Sequence, residues 1–523
     1  MLSNVELINA AGMKCNDMAK ASVARCFHRD FELMFADAWK FYYSGADSSV
    51  IGGNISVGEN RFAENLSKFH GVETLTKDIS GQQECLDFLL SHLDQEMPIN
   101  MGFDQAYLPW AKEVRKKVPL RYTGNILLWR YDQDTLKCID IHGSQQNESL
   151  PFSNFLEYAG TVDKIKTDAF RKKHSTDEFD IKEHIDLTEN YLFKTDGMFE
   201  QMAQYAGKIK ETLNFQQEID YTIKQGRNLA TPNWIIMVAD IIDVGRMRAL
   251  YSLSLKYMAD TYKNANLDNL SNEFKMLWSK WQLIVSVLVK SYYAKNYDNL
   301  NLRVSNNVLD IIEEEKKLAD KLAASITSNG YANKISHMIP DDETNIQYQY
   351  PDIRHFFNNK AFSTGLSGEK ADFDGLGNYY LLKDVKGSEV VLGRKITFRI
   401  QMGENDNIKC LGQSLKVDLC GVRQICFLGA CESGAFFGEF ELSFQEEHSQ
   451  KAILGFGEWR FGKCELGESL AYVADRVYFN RVSEQEKGYI FFNTINVPNE
   501  NVSEIKLPNC ENMHIFAITV CSL

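Results

Sequence analysis

Met13-Lys14-Cys15-Asn16 opens a stretch, running through Met18, Ala19, Val23 and Ala24 to Phe27, in which apolar residues recur three and four positions apart. That spacing predicts an amphipathic helix with Cys15 in its first turn. A thiol at such a position can have its pKa lowered by the helix field and by a nearby cation. Its use as a nucleophile still requires a proton acceptor within hydrogen-bond reach. Asn16 follows the thiol directly, and a backbone N–H there can contribute to an oxyanion hole.

Working outward, Phe31 to Tyr42 and Asp78 to Leu93 carry the same helical periodicity. Ile126 to Trp129 and Leu136 to Ile141 are β-type runs separated by the turn Asp132-Gln133-Asp134, which predicts a hairpin. Helices first and strands later make an α+β domain over residues 1–160.

From Thr161 to about Ser336 the pattern is helical, with long amphipathic segments at Ile185 to Phe193, Met198 to Leu213, Asn233 to Tyr262, Ser271 to Tyr293 and Leu302 to Ile326. Pro232 suits a helix start. A helical domain over 161–338 follows. Asp243 and Arg246 are spaced to pair on one face, and Glu313-Glu314-Glu315-Lys316-Lys317 reads as a solvated face. Helical faces rich in Leu, Met and Tyr suit a homodimer interface. Ile339-Pro340-Asp341-Asp342-Glu343 reads as a linker. Over 351–523, short β runs separated by Gly, Asn and Ser turns predict a β-sandwich.

The chain has 523 residues, a length expected to hold about two to four domains. A formal charge of -14 argues against nonspecific nucleic-acid binding. The 11 cysteines show no framework and no Cys-x-x-Cys pair, which points to reduced thiols. The first residues lack the basic and apolar blocks of a signal peptide, and Trp234 to Ile242 is too short to span a membrane. A cytoplasmic location is expected.

Three further pieces accompany Met13-Lys14-Cys15: Asp104-Gln105-Ala106-Tyr107-Leu108-Pro109-Trp110, the hairpin strand Ile126 to Trp129 with Tyr131-Asp132, and Ile139-Asp140-Ile141 on the return strand. Together they resemble the N-terminal domain of the butirosin-biosynthesis acyltransferase family, which is related to papain-like peptidases, over Leu7 to Gly160. The resemblance implies a papain-like cysteine-protease fold, with Cys15 as nucleophile and Asp140 as the residue orienting an imidazole. It also implies a substrate cleft along Asp104, Tyr107 and Trp110. The family's histidine would start the first hairpin strand. That position falls at Gly124 or, with a one-residue slip, at Asn125, and neither takes a proton from a thiol at neutral pH. His142, two residues past Asp140, is the candidate replacement; His28 and His70 are others.

A second set of pieces, Ile353 to Phe362, Ala371-Asp372-Phe373-Asp374-Gly375, Gly412-Gln413-Ser414-Leu415 and Phe427-Leu428-Gly429-Ala430, resembles a galactose-binding-like β-sandwich appended to glycoside hydrolases and other bacterial proteins. Asp372 and Asp374, two apart before Gly375, can hold a cation such as calcium or close a side-chain-to-backbone turn. No other cofactor is expected. Three readings of function result. The first is an acyltransferase-like protein of bacterial specialised metabolism, moving an acyl group from a carrier-bound thioester through Cys15 to a small-molecule amine, with an acyl-carrier protein as the implied partner. The second is a noncatalytic scaffold or binding protein on a degenerate papain-like fold. The third is a cysteine hydrolase or peptidase.

Overall fold

The computed structural model describes residues 5–45, 51–52, 54–58, 61–111, 123–141, 143, 145–212, 233–327, 347–364, 371–382, 389–392, 398–446, 448–478 and 481–522. Pro232, His142 and the linker at 339–343 lie outside the described residues. The protein is α+β, with long helices and a large curled β-sheet toward the C-terminus. It divides into two compact units, each assembled from separated stretches of chain. Unit 1 comprises residues 1–40, 58–189 and 250–271; unit 2 comprises 41–57, 190–249 and 272–523.

In chain order the helices are α1 (Cys15–Cys26), α2 (Phe62–His70), α3 (Gln82–Leu93), α4 (Phe152–Ala159), α5 (Ile181–Phe193), α6 (Met198–Thr212), α7 (Asn233–Tyr262), α8 (Ala265–Ala294) and α9 (Leu300–Thr327). The first strands are β1 (Tyr42–Tyr43) and β2 (Ile55–Ser56), a small antiparallel pair of unit 2. Phe31 to Tyr42, read as helical, is instead a short 3-10 turn at Glu32–Phe35 followed by irregular chain and β1. Phe31, Phe35, Trp39 and Phe41 are all buried. Buried aromatics four apart at Phe31, Phe35 and Trp39 mimic helical periodicity without forming a helix.

Unit 1 is organised by an antiparallel sheet of β3 (Val72–Ile79), β4 (Ile99–Asp104), β5 (Thr123–Asp132), β6 (Thr135–Asp140), β7 (Gln145–Pro151) and β8 (Ile165–Lys172), in the order β3-β8-β4-β5-β6-β7. The expected hairpin is β5–β6, with Ile126 opposite Asp140 and Leu128 opposite Cys138. Strand β8 lies in the stretch read as helical. One face of the sheet carries Ile99, Met101, Phe103, Ile126, Leu128, Leu136 and Cys138 against Cys85 and Leu89 of α3 and Phe155 of α4. By the period of two, the other face carries Asn100, Gly102, Asn125, Leu127 and Ile139.

Unit 2 contains the greater part of the helices and the sandwich. Its strands are β9 (Gln347–Gln349), β10 (Phe362–Ser363), β11 (Tyr379–Leu381), β12 (Glu389–Leu392), β13 (Phe398–Gln401), β14 (Ile408–Leu411), β15 (Ser414–Cys431), β16 (Phe436–Phe444), β17 (Ser449–Phe456), β18 (Ser469–Tyr478), β19 (Arg481–Lys506) and β20 (Asn509–Ser522). The main path runs β10-β11-β18-β19-β15-β20-β14, with β16 leaving β19 to pair with β17. Short runs were expected throughout this region, but Ser414–Cys431 is one long strand, β15. Register shifts between Lys416 and Gln424 let it bend and stay paired with β19. Within this unit α8 packs along the sandwich: Trp278 Nε1 donates to Ala435 O at 2.8 Å, and Ser279 Oγ bonds both N–H and carbonyl of Phe437 at 2.8 and 2.9 Å.

Asp243 and Arg246 pair at 3.1 Å as their spacing requires. The Glu313–Lys317 run departs from its reading. Glu313 pairs with Lys316 in solvent, but Glu315 is fully buried against Arg248 of α7. No disulfide joins any of the cysteines. Among the described residues no helix is long and apolar enough to cross a membrane.

Candidate functional site

Helix α1 begins at Cys15, with Lys14 as its N-cap in extended backbone. Asp17 reaches back from the third helical position to accept the Lys14 N–H at 3.0 Å, which satisfies one donor of the open first turn. Cys15 therefore occupies the first helical position, and its side chain is half-buried.

What faces this turn is an amide network. Asn16 Oδ1 accepts from Asn125 Nδ2 at 2.7 Å and from Asn100 Nδ2 at 3.0 Å. Asn125 Nδ2 also donates to Asn100 Oδ1 at 3.1 Å. Asn100 is buried on β4, and Asn125 sits opposite Gly102 on β5, so the two amides share the sheet face that meets α1. An amide nitrogen has no proton-accepting lone pair at neutral pH, so the network can hold a helix and orient a ligand but not deprotonate a thiol.

Asp140 lies elsewhere. It is in register with Ile126, on the face that carries the α3 and α4 core, and is 1% exposed. Its Oδ1 accepts from the Gly143 N–H at 2.9 Å and Gln105 Nε2 at 3.3 Å, and its Oδ2 from Trp110 Nε1 at 3.1 Å. A Cβ at Gly143 would fall 2.5 Å from Asp140 Oδ2, so this close approach requires glycine. Of the two candidate positions for the imidazole, Gly124 shares the face of Asp140 but has no side chain, and Asn125 is on the other face. The structure thus does not bring Asp140 to the amide beside Cys15; it uses the carboxylate to clamp the loop after β4 to the end of β6.

The cleft candidates belong to that clamp. Asp104 accepts the Ala106 N–H at 2.9 Å and so caps a one-turn 3-10 segment. The Tyr107 carbonyl accepts Asn154 Nδ2 at 3.0 Å, and its ring lies 5.8 Å from that of Tyr158. Trp110 is tied to Asp140 and packs against the core. His70 is buried with Nε2 accepting the Leu33 N–H at 3.0 Å, and burial lowers its pKa to about 4, so it is a neutral structural acceptor. His28 is exposed in a left-handed turn.

Asn100 and Gln105 were not singled out from the sequence. Asn100 had a legible signal, a polar side chain inside the apolar run Ile99 to Phe103. Gln105 had none, because its partner Asp140 is 35 residues away.

In the sandwich, Asp372 and Asp374 close a turn. Asp372 Oδ1 accepts the Gly377 N–H at 2.8 Å; Asp374 Oδ1 accepts the Leu376 N–H at 3.0 Å, and its Oδ2 accepts Asn378 Nδ2 at 2.8 Å. Burial raises the Asp374 pKa to about 6 against these hydrogen bonds. Among the described residues no group of three or more His, Cys, Asp or Glu could hold a metal ion, and the hydrogen bonds are those of a side-chain-to-backbone turn.

No curated protein matches the chain. Residues 349–522, about a third of the chain and the stretch expected to form a sandwich, match the AziU2-like beta-sandwich domain, and this match suggests a protein connected with specialised-metabolite biosynthesis.

Proposed function

We propose that this is a noncatalytic accessory protein of specialised-metabolite biosynthesis, a degenerate papain-like N-terminal domain joined to helices and a binding sandwich. The observation that carries this reading is the Asn16–Asn100–Asn125 network beside Cys15, where an imidazole would be needed. The separation of Asp140 onto the opposite face of the sheet adds to it. The surface around Cys15 then serves to bind, with three amides offering donors and acceptors of fixed orientation.

The first-turn position of Cys15 and its partial exposure favour a second reading, thiol acyl transfer. In it the Cys15 thiolate attacks a carrier-bound thioester and the carrier thiol leaves. A small-molecule amine then attacks the Cys15 thioester, forms an amide and frees the thiol, with His142 as the base. Water in place of the amine makes the protein a hydrolase.

Iodoacetamide labelling of Cys15 between about pH 5 and about pH 9, with Cys15→Ala as reference, separates the readings. On the accessory reading the rate falls toward acid as for an unassisted thiol, and an acyl thioester leaves no adduct on Cys15. Rapid labelling in acid together with an acyl adduct at Cys15 would overturn it in favour of transfer.

A further inference from the structure

Strands β15 and β20 pair antiparallel, with Gln424 opposite Cys521 and Cys426 opposite Thr519. Cys426 and Cys521 are therefore diagonal neighbours on one face of the sheet. The Cys426 thiol leans along its own strand: its Sγ donates to Gln424 Oε1 at 3.5 Å, toward the position across from Cys521. There it also hydrogen-bonds the Cys521 thiol. The two sulfurs are thus in contact as free thiols.

The pair is asymmetric. Cys426 is fully buried, while Cys521 keeps 9% of its surface exposed beside the half-buried Gln424. Burial raises the Cys426 thiol, but at Cys521 the hydrogen bond from Cys426 outweighs burial and lowers it. A reachable thiol that is readily deprotonated is the one that attacks a disulfide; a buried neighbour in contact with it is placed to resolve the product. Cys410 and Cys510 make a contrast. They stand directly opposite each other on β14 and β20, but burial raises Cys410 far above the ordinary thiol range and Cys510 to about 11. Neither supplies a thiolate near neutral pH.

Diagonal neighbours in a sheet lie at the outer limit of the span that a disulfide bridges. The local backbone has room to adjust, because the register slips between Val422 and Gln424, next to Cys521. A slip of this kind bends a strand and raises its twist.

We propose that Cys426 and Cys521 form a dithiol that exchanges with small disulfides of the glutathione type and closes a bond between β15 and β20. The Cys521 thiolate attacks one sulfur of the small disulfide; that S–S bond breaks, one small thiolate leaves, and a mixed disulfide forms on Cys521. Cys426 then gives up its proton, its sulfur attacks the Cys521 sulfur, and the second small thiol leaves. The two protein thiols lose two electrons and two protons, and one small disulfide becomes two small thiols. The site is independent of how Cys15 is read.

The test is incubation of the full chain with oxidised glutathione near neutral pH, alkylation of the remaining thiols in denaturant, and mass spectrometry of the unreduced digest. A linked peptide pair carrying Cys426 and Cys521 is expected, and dithiothreitol restores both thiols. Cys426→Ser stops the reaction at one glutathione on Cys521. Cys521→Ser leaves Cys426 without glutathione. Melting temperatures of the two variants before oxidation establish that both are folded. The proposal is overturned if both cysteines of the parent are recovered alkylated, if Cys410 and Cys510 are joined in their place, or if folded Cys426→Ser carries no glutathione on Cys521.

Discussion

Glu315→Ala is expected to destabilise the protein by about 3–5 kcal/mol, the cost of leaving one buried charge without its partner. Arg248 and Glu315 are both fully buried in unit 2, on α7 and α9. Their contact is a two-point fork, Nε to Oε1 and Nη2 to Oε2, each 2.9 Å. Trp281 Nε1 donates to the same carboxylate at 3.4 Å, and the guanidinium lies 5.7 Å from the Trp281 ring. The sulfurs of Met198 and Met202 stand beside Nη2 at 3.8 and 4.0 Å. Remove the carboxylate and the guanidinium is left among sulfur and aromatic surface that solvates it poorly. The double variant Arg248→Met with Glu315→Leu keeps the volume and removes both charges. It is expected to be more stable than the single variant, because the pair contributes little beyond its own desolvation. Urea unfolding of the three proteins decides it. A single variant within about 1 kcal/mol of the parent would mean that water or rearrangement reaches the site.

The second large effect is on acid stability. Glu432 is fully buried in the sandwich, where its Oε1 meets Lys409 at 3.2 Å, Lys290 at 3.3 Å and His514 Nε2 at 3.6 Å. Burial opposes its charge, but His514 and the two lysines outweigh burial and hold its pKa at about 2. A carboxylate lowered in this way contributes stability above its unfolded pKa near 4.5. That contribution is lost as pH falls from there toward 2. The full shift corresponds to about 3 kcal/mol. His514 acts in the same sense. Burial lowers its pKa, so protonating it on acidification also works against the fold. Its tautomer is set by Asn407. Asn407 Nδ2 donates to Asn359 O and Oδ1 at 3.0 and 2.9 Å, which turns Asn407 Oδ1 toward His514 and makes His514 Nδ1 the donor at 2.8 Å. Asp374 and Glu468, raised by burial to about 6 and about 7, act in the opposite sense. The readout is therefore the difference between Glu432→Gln and the parent. Thermal melts from neutral pH downward should show a large gap at pH 7 that closes below about pH 4.5. A gap that stays constant with pH would remove Glu432 as the source.

Much of the fold was legible because local pattern and tertiary environment agree. Asn233 to Tyr262 is a single helix, and the hairpin around Asp132-Gln133-Asp134 forms as its turn and alternation require. Where they disagree, the reason lies in distant chain. Glu315 sits in a charged run that any local reading turns to solvent, yet its helical phase carries it inward to an arginine 67 residues away. Phe31 to Tyr42 has a helix-like apolar rhythm, but its buried aromatics sit on a 3-10 turn and irregular chain.

The candidate site divides in the same way. By itself the sequence determined that Cys15 opens a helix, that no histidine starts strand β5, and that an α+β region precedes helices and a β-rich C-terminus. These are properties of residue type and short-range spacing, which a chain carries wherever it folds. Only the tertiary structure decided that Asn16, Asn100 and Asn125 converge, and that Asp140 turns away from them to hold Gln105, Trp110 and Gly143. Strand register decided it: a one-residue offset moves a side chain to the opposite face of a sheet, and register is set by the pairing of whole strands rather than by the residues at the site.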